Sequence, residues 1–188
     1  MKRPLVLASA SPQRRRLLKG LGLPFRVIPS RVDEASRETN PRRLVADLAM
    51  KKAESVAKRK PTCLVLGADT VVWCSGKILG KPESRADARR ILGRLNGRWH
   101  RVYTGVALVD AASGRSWREV AVSRVKARRL PDADLERIAG KHLDKAGAYA
   151  VQDKDDPFIE KIVGDYDNVV GLPLASVRRL LKRVARGR

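Results

Sequence analysis

The stretch from 101 to 127 constrains the fold more than any other. Residues 101–110 and 116–127 are both strand-like, and the five residues between them, Ala-Ala-Ser-Gly-Arg, are a hairpin signal. A hairpin forces its strands antiparallel, whereas the rest of the chain alternates short apolar runs with helical patterns, the sequence form of β–α units. The two together predict a mixed sheet. The expected architecture is one α/β domain over residues 1–188, with an elongated mixed sheet flanked by helices and a cleft between two lobes.

Residues 4–9 read as a short buried strand, 12–21 as a helix closed by Gly22, and 25–28 as a second strand. Asn40-Pro41 is a helix start with proline at the first helical position, and that helix runs to about residue 60. Residues 64–72 form the central strand, and Ser75-Gly76-Lys77 a turn. Ser84 caps a helix whose apolar positions Ala88, Ile91, Leu92 and Leu95 recur at helical spacing. After the hairpin come a short helix over 131–140, strand-like pieces at 148–152 and 158–163, and an amphipathic helix over 174–184.

Composition removes several function classes. The longest apolar runs fall far short of the roughly 18 residues a membrane span needs. The start, MKRPLVLASASPQ, has an apolar centre of only Leu5 to Leu7, too short for a secretory signal, so the expected compartment is the cytoplasm. Two cysteines (Cys63, Cys74) and two histidines (His100, His142) are too few and wrongly spaced for a zinc site or disulfide framework. Lysine and arginine number 41 against 20 acidic residues, a net charge of +21, which attracts polyanions. The cations are spread along the chain, with one tail-like basic run at about 182–188. Aromatic residues are only 4%, so nucleic acid is expected to bind only through a non-specific basic surface.

Four constellations carry chemistry. In ASASPQRRR (8–16) a strand delivers Ser9 and Ser11 to a helix start. Hydroxyls, free N–H groups and arginines make an anion site there; the bland reading is a capped helix with solvated arginines. Lys52 falls inside the apolar stripe of its helix, where it either snorkels to a rim or meets an anion. Gly80-Lys81-Pro82 presents a lysine before a helix, without the glycine spacing of a P-loop. Most of the acidic residues at 33, 34, 153, 155, 156, 165 and 167 read as solvated loop charges. Asp69, in VLGADTVV (65–72), has apolar flanks on both sides. It either caps a turn after a strand ending at Gly67 or serves chemistry; with Glu34 it could hold a divalent cation through oxygen ligands. Val71 excludes both an Asp-x-Asp nucleophile and an Asp-Thr-Gly protease loop, and no Gly-x-Ser-x-Gly elbow occurs.

Taken in order, LASASPQRRRLLKGLGLPFRVIPSRVDE, KKA, LGADTVV, ILGKP, VYTGVAL, DKAGAYAVQD and GDYDNVVGLPL span almost the whole chain. Together they resemble the Maf family of nucleotide pyrophosphatases, and DKAGAYAVQ is similar to the branch acting on dTTP and UTP. The resemblance implies hydrolysis of a nucleoside triphosphate to monophosphate and pyrophosphate with Mg2+ or Mn2+, and a homodimer. It implies Asp69 as the catalytic proton acceptor; by their chemistry Glu34 and Asp69 would then bind the metal or orient water. The triphosphate falls to Ser9, Ser11, Arg14, Lys52 and Lys81; Thr70, Gln152 and Gln13 stand at specificity positions. Two positions depart from the family pattern: Gln13, where arginine is common, and Asp153, where glycine is usual. A glycine there permits torsions that aspartate reaches less readily. A different class of reading is a basic nucleic-acid-binding or regulatory module that keeps the fold without activity.

Overall fold

The computed structural model describes residues 3–153 and 155–187. Its centre is β3 (Leu64–Cys74), an 11-residue strand. Along one edge β3 pairs antiparallel with β5 (Trp99–Asp110) through Trp73, and β5 pairs in turn with β6 (Ser116–Ala127) as the expected hairpin. β7 (Ile159–Val163) closes that side. Along the other edge β3 has two partners at its two ends. β1 (Leu5–Leu7) runs parallel to Leu64–Leu66, with β2 (Phe25–Val27) outside it, and β4 (Lys77–Leu79) runs antiparallel to Val72–Cys74. Between Gly67 and Val71 that edge carries no strand among the described residues. The sheet is seven-stranded and mixed.

Strand alternation sorts the side chains onto two faces. Helix α2 (Pro41–Ala57) lies on one, packing Ala49, Ala53 and Val56 against Val65, Ala107 and Val109. It can approach because β3 and β5 carry glycine beneath it. A Cβ on Gly67 would stand 2.2 Å from the Ala49 carbonyl oxygen, and one on Gly105 2.2 Å from that of Val45. The other face takes the remaining helices. α1 (Pro12–Lys19) and α6 (Leu174–Ala185) cover Leu7, Leu66, Val106 and Leu108. α3 (Arg85–Leu95) and α4 (Asp132–Ile138) cover Val72, Val102 and Val125 further along.

Several sequence expectations are corrected here. β3 runs through Asp69 to Cys74, so Asp69 is mid-strand and caps no turn. The turn at 75–76 is followed directly by β4. Residues 148–152 are not a strand: a single 3-10 turn at Ala146–Ala148 carries positive φ at Gly147 (81°) and Ala148 (61°). α1 stops at Lys19 rather than residue 21. A five-residue helix absent from the sequence reading, α5 (Tyr166–Val170), is capped by Asp165 and ended by Gly171 at φ 117°. Most of the basic run at 182–188 is the last turn of α6 and the turn after it; Arg188 lies outside the described residues.

Candidate active site

The unpaired stretch of β3 is where the polar residues collect. β1 leaves the sheet after the Ala8 N–H donates to the Leu66 carbonyl, and the chain turns into α1. Ser9 is buried there and its hydroxyl accepts from the Ser11 N–H at 3.2 Å. The Ser11 hydroxyl caps the helix by accepting from the Arg14 N–H at 3.4 Å, and donates to Gln13 Oε1 at 3.2 Å. The strand's carboxyl end and the helix's amino end thus face the same space, which is where open α/β sheets bind ligands.

Arg14 is the arginine that turns inward. Its Nε donates to the Gly171 carbonyl (2.9 Å) and its Nη2 to Thr70 Oγ1 (3.1 Å). Burial pulls its pKa below the usual arginine value, and the charges of Asp69 and Glu34 oppose that pull. Thr70 is fixed further by a 3.0 Å bond to Thr104 Oγ1, which itself donates to the Asn168 carbonyl at 2.9 Å. α5, unseen in the sequence, therefore anchors the base of the site.

On the opposite face, α2 brings Lys52 down beside Gly67 and onto Asp69. Lys52 Nζ donates to Asp69 Oδ1 at 2.7 Å and lies 3.0 Å from Glu34 Oε1. Both Lys52 and Asp69 are buried, while the Glu34 side chain is 49% exposed. For Glu34, burial raises the pKa. The bond and charge of Lys52, aided by Lys81 and Arg14, outweigh it and hold the carboxyl below its ordinary value. Lys52 is thus the inward lysine that meets an anion rather than snorkelling: it ties two carboxylates together.

These groups open onto one cavity of about 320 Å³. Its walls carry Ser9, Ser11, Gln13 and Arg14 from the α1 start, with Glu34, Lys52 and Thr70 beneath, and Lys81 and Gln152 opposite. Asp69 stands behind Lys52 rather than in the wall. Sequence reasoning missed Lys145, which lines the same cavity and pairs with Asp144 at 2.8 Å. It sits inside DKAGAYAVQ, where its charge is the signal that marks it. It also missed Tyr149, whose buried hydroxyl shares a 2.9 Å hydrogen bond with His100 Nε2. Burial pulls His100 down to about 4, the Arg98 backbone opposing only in part.

The loop bearing Gln152 is tied down by aspartates. Asp156 is not a solvated charge: it accepts from the N–H groups of Ala150 and Phe158, each at 3.0 Å. His142 Nε2 stands 3.3 Å from both Asp153 and Asp156. No aligned hydrogen bond to His142 Nε2 occurs among the described residues, so the contact is one of proximity. Burial raises the Asp156 pKa, but His142 and the two N–H groups outweigh it and leave the carboxyl below its ordinary value. Asp153 needs no left-handed backbone, since Ser75 and Ala148 are the non-glycine described residues at positive φ. The expected torsional conflict at this departure from the family pattern does not arise.

An oxygen of each carboxylate lies within 3.0 Å of Lys52 Nζ, so the two share one cationic neighbour, and only their remaining oxygens are left as donors for a divalent cation. No cluster of three or more histidine, cysteine or carboxylate ligands occurs among the described residues. A cation here would complete its shell with water and ligand oxygens, as magnesium commonly does.

Fold and pocket together define a class: an α/β protein whose cation-lined pocket is backed by a buried lysine–carboxylate pair at an unpaired strand edge. Comparison with known proteins narrows it. The chain belongs to the Maf-like protein family, whose model matches residues 4–184. It is 47% identical over 178 residues to a protein of Elusimicrobium minutum named dTTP/UTP pyrophosphatase, covering 95% of this chain and 97% of that one. Proteins of the same name from Moorella thermoacetica and Dictyoglomus thermophilum are 51% and 42% identical, over 94% and 98% of this chain and 93% and 97% of theirs.

Proposed function

We propose that the chain hydrolyses nucleoside triphosphates, dTTP and UTP among them, to the monophosphate and pyrophosphate. The observation that carries this reading is the buried Lys52–Asp69 pair at the foot of a cavity walled by Ser9, Ser11, Arg14, Lys81 and Lys145. The family membership and the names of the relatives support it. Phosphoryl transfer calls for positioning and charge neutralisation more than for covalent chemistry. The α1 N–H groups and serine hydroxyls take phosphate oxygens; Arg14, Lys52, Lys81 and Lys145 supply positive charge. Glu34 and Asp69 are the residues that would hold the divalent cation, Mg2+ or Mn2+, which would supply charge neutralisation and Lewis-acid polarisation at the phosphates.

A water attacks the α-phosphorus, its proton passes to the Asp69 carboxylate, and the bond to the bridging oxygen breaks with pyrophosphate carrying off the electron pair. The apolar strand around Asp69 holds that acceptor still. Gln152 offers both a donor and an acceptor, the pattern that the imide edge of uracil or thymine requires. The buried thiols Cys63 and Cys74 suit a reducing compartment, and we place the enzyme in the cytoplasm. A homodimer rests on family resemblance and is read by sedimentation velocity. Among the described residues no helix is long and apolar enough to cross a membrane.

The test is a panel of canonical and modified triphosphates with magnesium or manganese, with products identified by chromatography. Monophosphate plus pyrophosphate from dTTP and UTP is expected. Diphosphate plus inorganic phosphate overturns attack at the α-phosphorus, and no turnover overturns the assignment.

A further inference from the structure

The face of the sheet that carries α2 is only partly covered by it. Beyond α2, cross-strand register lines up Trp73, Arg101, Arg124 and Val163 in one row, with Trp99, Lys126 and Lys161 in the next. On the other side of the first row lie Val71, Tyr103 and Val122. Rows on one face are about 7 Å apart along a strand. Trp99 and Val163 are exposed at 41% and 45%, and Trp73 and Tyr103 are half-buried. Arg101 lies over the Trp73 ring at 5.4 Å and Arg124 over the Trp99 ring at 4.8 Å. None of these ten positions is acidic, and Arg101, Arg124 and Lys161 have no carboxylate partner among the described ion pairs.

We propose that this uncovered half of the sheet binds single-stranded nucleic acid. Trp99 and the guanidinium planes stacked on Trp73 and Trp99 offer flat platforms for unpaired bases. Lys126, Lys161 and the arginine charges meet the phosphates, and the chain's charge of +21 draws the polyanion in. The ten positions lie on β3, β5, β6 and β7, none on a helix that could enter a duplex groove. A second copy of the chain is disfavoured, because a patch whose charges are all positive repels itself across a two-fold axis. None of these residues lines the triphosphate cavity, so the surface is independent of the catalytic reading.

The test titrates the full chain with fluorescein-labelled 12-nucleotide oligo-U, oligo-dT and a 12-base-pair duplex, by anisotropy and intrinsic tryptophan quenching, at two salt concentrations. Single strands are expected to bind at least about tenfold more tightly than the duplex, with quenching and a steep salt dependence. Trp99→Ala is expected to weaken oligo-U binding about tenfold, and Arg101→Glu/Arg124→Glu further, with triphosphate turnover unchanged. A charge-matched control, Lys58→Glu/Lys60→Glu at the far end of α2, is expected to lose less than the paired arginine variant. Equal binding of duplex and single strand, or equal losses in the two charge variants, overturns the proposal in favour of bulk charge. Self-association abolished by Trp99→Ala, seen in sedimentation, overturns it in favour of a second copy.

Discussion

At the scale of single residues, Asp69 and Lys52 are a buried pair whose members are not interchangeable. Asp69→Asn removes the proposed proton acceptor while keeping the shape, and Lys52 keeps Glu34 as a partner. The variant is expected to fold, with kcat lowered by about 10² to 10⁴. Lys52→Met instead strands the Asp69 carboxylate in the interior. It is expected to cost about 3–5 kcal/mol of stability in denaturant melts, more than Asp69→Asn. If Lys52→Met proves the milder change, Lys52 is not what neutralises Asp69. Gln152→Ala is expected to lower the UTP-to-CTP ratio of kcat/KM by about tenfold, since one lost hydrogen bond to a buried edge is worth about 1–2 kcal/mol. An unchanged ratio removes Gln152 from base recognition. Lys52 was legible as an oddity, a cation inside an apolar stripe. That its partners would be two carboxylates, 18 residues before it and 17 after, was not legible in the sequence; the seating of α2 on β3 brings them together.

At the scale of elements, the close seat of α2 on the sheet is what brings Lys52 to Asp69. Gly67→Ala sets a methyl against the Ala49 carbonyl and lifts the helix. The expected outcome is a loss of about 1–3 kcal/mol in thermal stability together with a fall in turnover. Turnover intact beside a lowered Tm would uncouple helix seating from chemistry. The bond between β5 and the Tyr149 segment adds a pH signature. His100 is held down to about 4, so between pH 6.5 and 4 the unfolded imidazole takes a proton that the folded one refuses. Stability is full above pH 6.5 and falls as pH drops toward 4, by about 3 kcal/mol. His100→Asn is expected to flatten that acid limb in melts recorded across the range. Periodicity and caps revealed α2, α3, α6 and the β5–β6 hairpin, because those elements bury a regular face. The Ala148–Gln152 stretch alternates like a strand, yet Gly147 and Ala148 at positive φ and a bond from the Gly147 N–H to the Gly80 carbonyl turn it inward. α5 is too short for its period to register.

For the whole molecule, three apolar clusters hold the sheet and helices together, and none of them contains Glu34 or Asp69. A chelator is therefore expected to abolish turnover while leaving the Tm of the ligand-free protein unchanged; a large fall in Tm would make the cation structural. What the sequence determined by itself was the mixed α/β class, the order of most elements and the residue types of a triphosphate site. Those follow from local patterning, in which each strand or helix announces the face it must bury. What only the tertiary structure decided was where those residues meet. β3 takes β1 at one end and β4 at the other along the same edge, so the middle of that edge is left unpaired beside Asp69. The same global pairing leaves half of the α2 face bare, with two tryptophans and their arginines in register. Such adjacency depends on contacts between residues distant in sequence, which no local periodicity encodes.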